Sequence, residues 1–329
     1  MLLSTNAAAE FRWSNVAPAF RADVLNGLAL RPRAIPARWF YDWRGSELFE
    51  RITKLPEYYL SRVEQAILAR HGAELAELTG PGRVVVEFGS GSSTKTPLLL
   101  SAITPAAYVP IDISGEFLRE SVKLLKRSFP SLPIHPVEGD FTQPLLLPEL
   151  HHLHDAPRLG FFPGSTIGNL VAREAVDLLR AFAAALGPNA QLLIGIDRVK
   201  SPAVLVPAYD DAQGVTAAFN LNLLRRINRE LEGTIPVERF RHVVRWNDPE
   251  SRIEMHLEAT CDVTFRVSGF EFGMSAGETI HTENCIKYGE RDARVLLRAG
   301  GWSTLAEWVD RENCFAVILA GAASTTTAP

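Results

Sequence analysis

A chain of 329 residues, 47% of them hydrophobic, has room for one large or two modest domains and enough apolar side chains for a sizeable core. Its formal net charge of −4 argues against a dedicated binder of nucleic acid or of membrane surfaces. Three scattered cysteines, Cys261, Cys285 and Cys314, fit neither a disulfide framework nor a zinc spacing, which makes a reducing cytoplasm the natural compartment. The N-terminal MLLSTNAAAEFRW carries an acid early and has no basic segment ahead of an apolar run, so no signal peptide is expected. No apolar run reaches the length that spans a bilayer.

In chain order, Ile67, Leu68, Leu75 and Leu78 give residues 64–78 helical spacing. The turn TGPG leads into RVVVEFG, where consecutive valines between turn residues predict a fully buried strand. After a glycine loop come a helix over 96–103, the strand YVPIDIS ending in Asp112, a helix over 116–129 and a third strand, PIHPVEGDF, ending in Asp140. GFFPGSTIGN reads as a strand running into a loop, 173–186 as a helix, and QLLIGID as a further buried strand. Strands alternating with helices at this spacing imply a parallel sheet covered on both faces.

After Asp197 the rhythm breaks. A helix over 214–231 is followed by RIEMHLEAT and CDVTFRVSG, whose period-two alternation marks half-exposed antiparallel strands. A helix over 292–299 and the turn at Gly300-Gly301 precede LAEWVD and CFAVILA, joined by a connection too short for anything but an antiparallel pair. The expectation is an α/β chain with a mostly parallel sheet ending in an antiparallel hairpin over 62–199 and 283–321. A second α+β lobe takes 10–61 and 200–282, and 322–329 form a frayed tail.

The segment VVVEFGSGSSTKT poses the functional question. GSGSSTKT falls one residue short of a nucleotide-triphosphate loop, because Thr94 stands where the second glycine belongs. Glu87 adds a negative charge at the strand end, which a polyphosphate would oppose. E-x-G-x-G instead suits S-adenosylmethionine: Gly89 and Gly91 let backbone approach the cofactor's amino-acid end, and Glu87 can face its positive charges. Asp112, ending the next strand, is placed to accept from ribose hydroxyls, and Asp140 with Phe141 to accept from and stack on adenine.

WFYDWRGSELFERITKLPEYYLSR, VEFGSGSSTKT, FFPGSTIGNL, YDDAQGVTAAFNLNLL and IHTENCIKY together resemble the histidine N-alpha-methyltransferases, which form hercynine on the way to ergothioneine. The resemblance runs from about Arg31 to Ala320. It implies a seven-stranded Rossmann-like methyltransferase sheet with a substrate-binding lobe, and S-adenosylmethionine as cofactor with S-adenosylhomocysteine as product. It implies a small amino-acid substrate, a monomer, and no nucleic-acid, membrane or metal partner. Lys95 joins Gly89 in the cofactor loop. Tyr58, Asn169 and Tyr209 match positions that grip the backbone end of the amino acid. Tyr41 and Gly164 match positions near its amino group, with Tyr41 and Tyr58 as the catalytic pair. Met255, Glu283, Asn284 and Cys285 match positions around the imidazole, and Cys285 stands where the family usually has serine.

Simpler readings stand beside these. The tyrosines of LPEYY can be packing, Met255 core, and Glu283 the cap of a following helix. His151, His152 and His154 suit a solvated loop cluster better than a metal site, and Cys261 and Cys314 read as buried hydrophobes in strands. The alternatives for function are methylation of another amino acid, such as tryptophan, and, from a different class, a phosphate-loop nucleotide binder. A non-catalytic amino-acid sensor is the remaining one.

Overall fold

A computed structural model describes residues 16–91, 95–143, 147–148, 150, 153 and 155–323. In chain order it runs through α1 (Val16–Ala29), β1 (Arg33–Ala34), α2 (Trp43–Ile52), α3 (Tyr59–Thr79), β2 (Val84–Phe88), α4 (Thr96–Ile103), β3 (Ala107–Asp112) and α5 (Gly115–Ser128). Next come β4 (Val137–Glu138), β5 (Arg158–Phe162), α6 (Ala172–Leu186), β6 (Gln191–Asp197), α7 (Pro202–Tyr209) and α8 (Val215–Glu230). The chain closes with β7 (Phe240–Asn247), β8 (Arg252–Ala259), β9 (Val263–Val267), β10 (Phe270–Met274), β11 (Thr279–Ile286), α9 (Glu290–Ala299), β12 (Trp302–Val309) and β13 (Phe315–Ala322).

Two compact units emerge. One comprises 1–48, 210–245 and 254–283; the other comprises 49–209, 246–253 and 284–329. Residues 49–61 and 200–209, which the sequence pattern groups with a second lobe, fall in the unit that holds the large sheet.

The larger unit is built on a seven-stranded sheet of order β12-β13-β6-β5-β2-β3-β4. β2 runs parallel to β3 and β5, β5 to β6, and β3 to β4, whereas β13 is antiparallel to both β6 and β12. β2 and β6 are buried along their whole length, which is why they are runs of apolar residues rather than alternations. On one face Phe88 stacks on Phe182 of α6 at 3.7 Å between ring centroids, among Leu178, Leu179, Leu186 and Ile194. Trp302 Nε1 donates to the Leu179 carbonyl at 2.9 Å, tying the hairpin to α6. The long α3 is tied to the hairpin too: Trp308 Nε1 donates to Glu74 Oε2 at 2.8 Å.

The smaller unit carries the order β1-β11-β8-β7, with β1 parallel to β11, and a separate β9–β10 hairpin. That hairpin turns at Ser268 and Gly269, both with positive φ, as a tight two-residue turn requires. α8 buries Phe219, Leu223, Leu224 and Ile227, and Phe219 packs on Phe40 at 4.6 Å.

Some expectations need correction. The third strand is only Val137–Glu138 and stops before Asp140; it forms the sheet edge, where a single neighbour stabilises it. Cys261 and Cys314 are half-buried and lie just outside strands, in the turns before β9 and β13. Glu283 sits inside β11, seven residues before the helix at Glu290, so it caps nothing. Ala322 ends the last strand rather than beginning a tail. Thr94, His151, His152, His154 and residues 324–329 lie outside the described residues.

Candidate active site

The glycine loop leaves the buried end of β2. Gly89 and Ser90 donate their N–H groups to the Ile111 carbonyl at 2.9 and 3.0 Å, which folds the loop onto the end of β3. Gly89 and Gly91 hold φ of 75° and 51°, where a side chain is strained. A side chain at Gly89 would also meet the Phe141 ring at 3.2 Å, whereas one at Gly91 would meet nothing within 4 Å among the described residues. Asp112 lies beneath: its Oδ2 accepts from Gly91 N and its Oδ1 from Ser114 N, each at 2.8 Å. Burial pushes the Asp112 carboxyl up, against the pull of those N–H groups. Phe141 stands edge-on to Phe162 at 5.5 Å, and Asp140 Oδ1 accepts from Thr142 N and Thr142 Oγ1. Two bare backbone positions, an acid at the end of β3 and an aromatic ring in the turn after β4 form a cradle that fits a nucleoside cofactor.

Glu87 and Lys95 have other partners than a ligand. The Glu87 Oε2 accepts from Thr96 Oγ1 at 2.7 Å and Tyr108 Oη at 2.5 Å, and burial pushes its carboxyl up to about 7. Lys95 Nζ donates to Glu64 Oε2 at 2.5 Å, and the same carboxylate accepts from Gly164 N at 2.9 Å. Gly195 makes room for Glu64, since a side chain there would strike Glu64 Oε1. The sequence marks Glu64 only as part of a helix, and its place among apolar residues on α3 is the one local sign of its burial.

Gly164 and Ser165 take positive φ and turn the chain sharply after β5. Ser165 Oγ accepts from Asp197 N at 2.9 Å, and the short 3-10 turn Thr166–Asn169 follows. Gly168 allows this turn to lie against β11, because a side chain there would meet the Ile286 carbonyl at 2.7 Å. Asn169 Oδ1 and Cys285 Sγ are thereby 3.7 Å apart, and Cys285 Sγ lies 2.8 Å from Tyr209 Oη. The Tyr58 ring stands edge-on to Tyr209 at 6.2 Å. The larger unit thus gathers Tyr58, Asn169, Tyr209 and Cys285 from four separate stretches.

Behind Tyr209 lies a polar cluster that the sequence reading missed. Lys287 Nζ donates to Tyr209 Oη at 2.7 Å and lies 2.8 Å from Asp197 Oδ2. Lys200 Nζ donates to Asp197 Oδ1 and to Tyr59 Oη, whose hydroxyl in turn donates to Asp197 Oδ2 at 2.8 Å. Burial works against the Lys287 ammonium, but Asp197 and Cys285 together outweigh it and hold its pKa up; at Lys200 burial wins and lowers it. Burial, together with nearby Cys285, raises the Tyr209 hydroxyl well above its ordinary range.

In the smaller unit, Tyr41 packs edge-on to Phe219 at 5.8 Å. Its neighbour Asp42 fixes the local chain by accepting from Gly45 N, Asn222 Nδ2 and Arg229 Nη2. Met255 on β8 is buried, its carbonyl accepting from Thr282 Oγ1 at 3.0 Å. Glu283, on β11, is 8% exposed, and Asn284 follows it as the first residue of the larger unit's last stretch.

The sheet order, the closing antiparallel hairpin and the glycine loop with its strand-end acids define a Rossmann-like methyltransferase fold. Residues 20–322 match the family described as histidine-specific, S-adenosylmethionine-dependent methyltransferases. A histidine N-alpha-methyltransferase of Mycobacterium tuberculosis is 40% identical over 312 residues, covering 92% of this chain and 94% of that protein. Ergothioneine biosynthesis protein 1 of Neurospora crassa is 30% identical over 290 residues, 84% of this chain but 32% of that longer protein. Among solved structures, magnesium protoporphyrin IX methyltransferase from Synechocystis with bound S-adenosylhomocysteine has 13% identity and a TM-score of 0.47, covering 87% of this chain and 98% of that one. The chain belongs to the histidine-specific, S-adenosylmethionine-dependent methyltransferase family.

Proposed function

We propose that the protein trimethylates the alpha-amino group of L-histidine to hercynine, as a step toward ergothioneine. The observation that carries this reading is the hydrogen-bonded chain of Asn169, Cys285 and Tyr209 beside Tyr58, four residues assigned by resemblance to the same substrate.

The cofactor would be held by Gly89, Gly91, Asp112, Asp140 and Phe141. When bound, S-adenosylmethionine supplies an electrophilic methyl group on a sulfonium. The chain's own work is to hold a neutral amine with its lone pair in line, and alignment of this kind supplies much of the rate. Asn169 and the Tyr209 hydroxyl offer donors to the substrate carboxylate. By the resemblance, the Tyr58 and Tyr41 hydroxyls accept hydrogen bonds from the amine and orient it while its proton passes to water, and their ring faces favour the growing alkylammonium. The resemblance assigns the imidazole N–H to Glu283 and counts Met255, Asn284 and Cys285 among the imidazole positions. Gly164 N is committed to Glu64, so Gly164 acts through backbone shape near the amino group. Glu87 and Lys95, held by Thr96, Tyr108 and Glu64, shape the cofactor loop from within.

The phosphate-loop alternative loses support here, because Lys95, its essential cation, is spent on Glu64. Incubation with S-adenosylmethionine and each of the twenty amino acids, read by mass spectrometry, tests the proposal. L-histidine carrying three added methyl groups is expected as the fastest product. Faster turnover of another amino acid, or arrest after one methyl, overturns it.

A further inference from the structure

We propose that Lys287, seated on Asp197, is a positioning residue that sets the site's demand for a free carboxylate by acting through the Tyr209 hydroxyl. This rests on the reading above, in which Tyr209 meets the backbone end of an amino acid.

Hydrogen-bond bookkeeping carries the inference. Lys287 has donors only, so the 2.7 Å contact makes Tyr209 Oη the acceptor. The single proton of Tyr209 then turns away from Lys287; Cys285 Sγ, at 2.8 Å, is placed to take it, and an arriving anion can claim it. Sulfur is a weak acceptor and gives up that proton at little cost, whereas a carboxylate takes it strongly. Lys287 therefore fixes Tyr209 as a donor and polarises its O–H.

Charge points the same way. Two ammonium groups, Lys200 and Lys287, share the single carboxylate of Asp197, and the Lys287 side chain is 0% exposed. An excess of buried positive charge is costly in isolation and favours an anion docking next to it. The fold delivers this pairing by joining the ends of β6 and β11: Tyr288 N donates to the Asp197 carbonyl at 3.0 Å, and Arg198 bridges to Tyr288. Placing Lys287 there serves the carboxylate, since Asp197 already has Lys200 and Tyr59 as partners.

The test compares L-histidine with histamine, which lacks only the carboxylate. Both are titrated calorimetrically, with S-adenosylhomocysteine present, into wild type, Lys287→Gln and Lys287→Met. Asp197 keeps Lys200 and Tyr59 in both variants, and Gln retains a donor to Tyr209 without the charge. The ratio of histidine to histamine affinity is expected to fall about tenfold or more in both variants, the weight of a hydrogen bond to a charged group, with histamine affinity unchanged. A merely structural role would lower both affinities together and leave the ratio intact; that outcome overturns the proposal. Tyr209→Phe, which leaves Lys287 in place, must collapse the same ratio, and an unchanged ratio there overturns it even if both Lys287 variants fail to fold. Should methyl transfer show another amino acid to be the substrate, that amino acid and its decarboxylated amine take the place of the pair, so the two readings fail separately.

Discussion

The Lys95 ammonium rests 2.5 Å from Oε2 of Glu64, a carboxylate buried on α3 that also receives the Gly164 N–H at 2.9 Å. One acid thus ties the end of the cofactor loop to the turn that follows β5.

Removing either partner should have unequal effects. Lys95→Met leaves a buried carboxylate with, among the described residues, only the Gly164 N–H as donor and should destabilise the fold by about 3–5 kcal/mol, the cost of breaking a buried pair. Glu64→Gln keeps an acceptor for Gly164 N and leaves a lysine that is already 14% exposed, so it should cost about 1–2 kcal/mol. Urea denaturation of both variants decides it; equal losses would show that the charge on Glu64 is not what matters.

Glu87 should impress a slope on stability against pH. Its carboxyl is raised from 4.5 to about 7, burial being the main cause. Between those values the folded chain binds more protons than the unfolded one, so stability falls as pH rises through the window. Above it the charged form costs about 3 kcal/mol. Glu87→Gln keeps an acceptor for Thr96 and Tyr108 and should flatten this slope and raise stability at pH 8. His256 acts in the opposite sense: burial lowers it from 6.5 to about 4, so its contribution is lost as pH falls through that range. Denaturation midpoints from pH 4 to 8 read both, and an unaltered slope in Glu87→Gln would place the charge elsewhere.

Cys285→Ser should preserve activity. The 2.8 Å between Cys285 Sγ and Tyr209 Oη is short for sulfur but ordinary for two hydroxyls. Serine holds the Tyr209 proton somewhat more firmly, but its O–H is a stronger donor to the imidazole than the thiol, and this gain outweighs the other, so histidine should bind more tightly by at most about 0.5–1.5 kcal/mol. The change belongs in the Michaelis constant more than in turnover, because the imidazole is held alike in ground and transition states. Clearly weaker histidine binding would mean that the pocket has repacked around sulfur.

Glu283→Ala should cost histidine far more than tryptophan. Loss of a buried acceptor leaves an imidazole N–H unpaired, whereas a larger apolar ring fills the space and asks less of it. Ratios of kcat/KM for the two substrates give the answer. Equal losses would make Glu283 a structural residue of β11.

The pattern along the chain determined the layers of this protein and the position of its cofactor loop. Burial on both faces forces β2 and β6 to be apolar runs, positive φ forces glycine at 89, and the short link before Phe315 forces an antiparallel pair, so each leaves a local trace. The motif IHTENCIKY named Cys285, yet nothing local announced that Cys285 would meet Tyr209, or that Lys287 would sit on Asp197. Those contacts join residues 76 and 90 positions apart, and they exist because β11 runs out beside the end of β6. Likewise Glu64 and Lys95 looked like a helix residue and a loop cation until packing of α3 on the sheet brought them together. Periodicity and turn chemistry act between neighbours in sequence. Which buried charge pairs with which is decided only when the chain closes on itself, because a charge taken out of water must find its partner among whatever the fold has placed there.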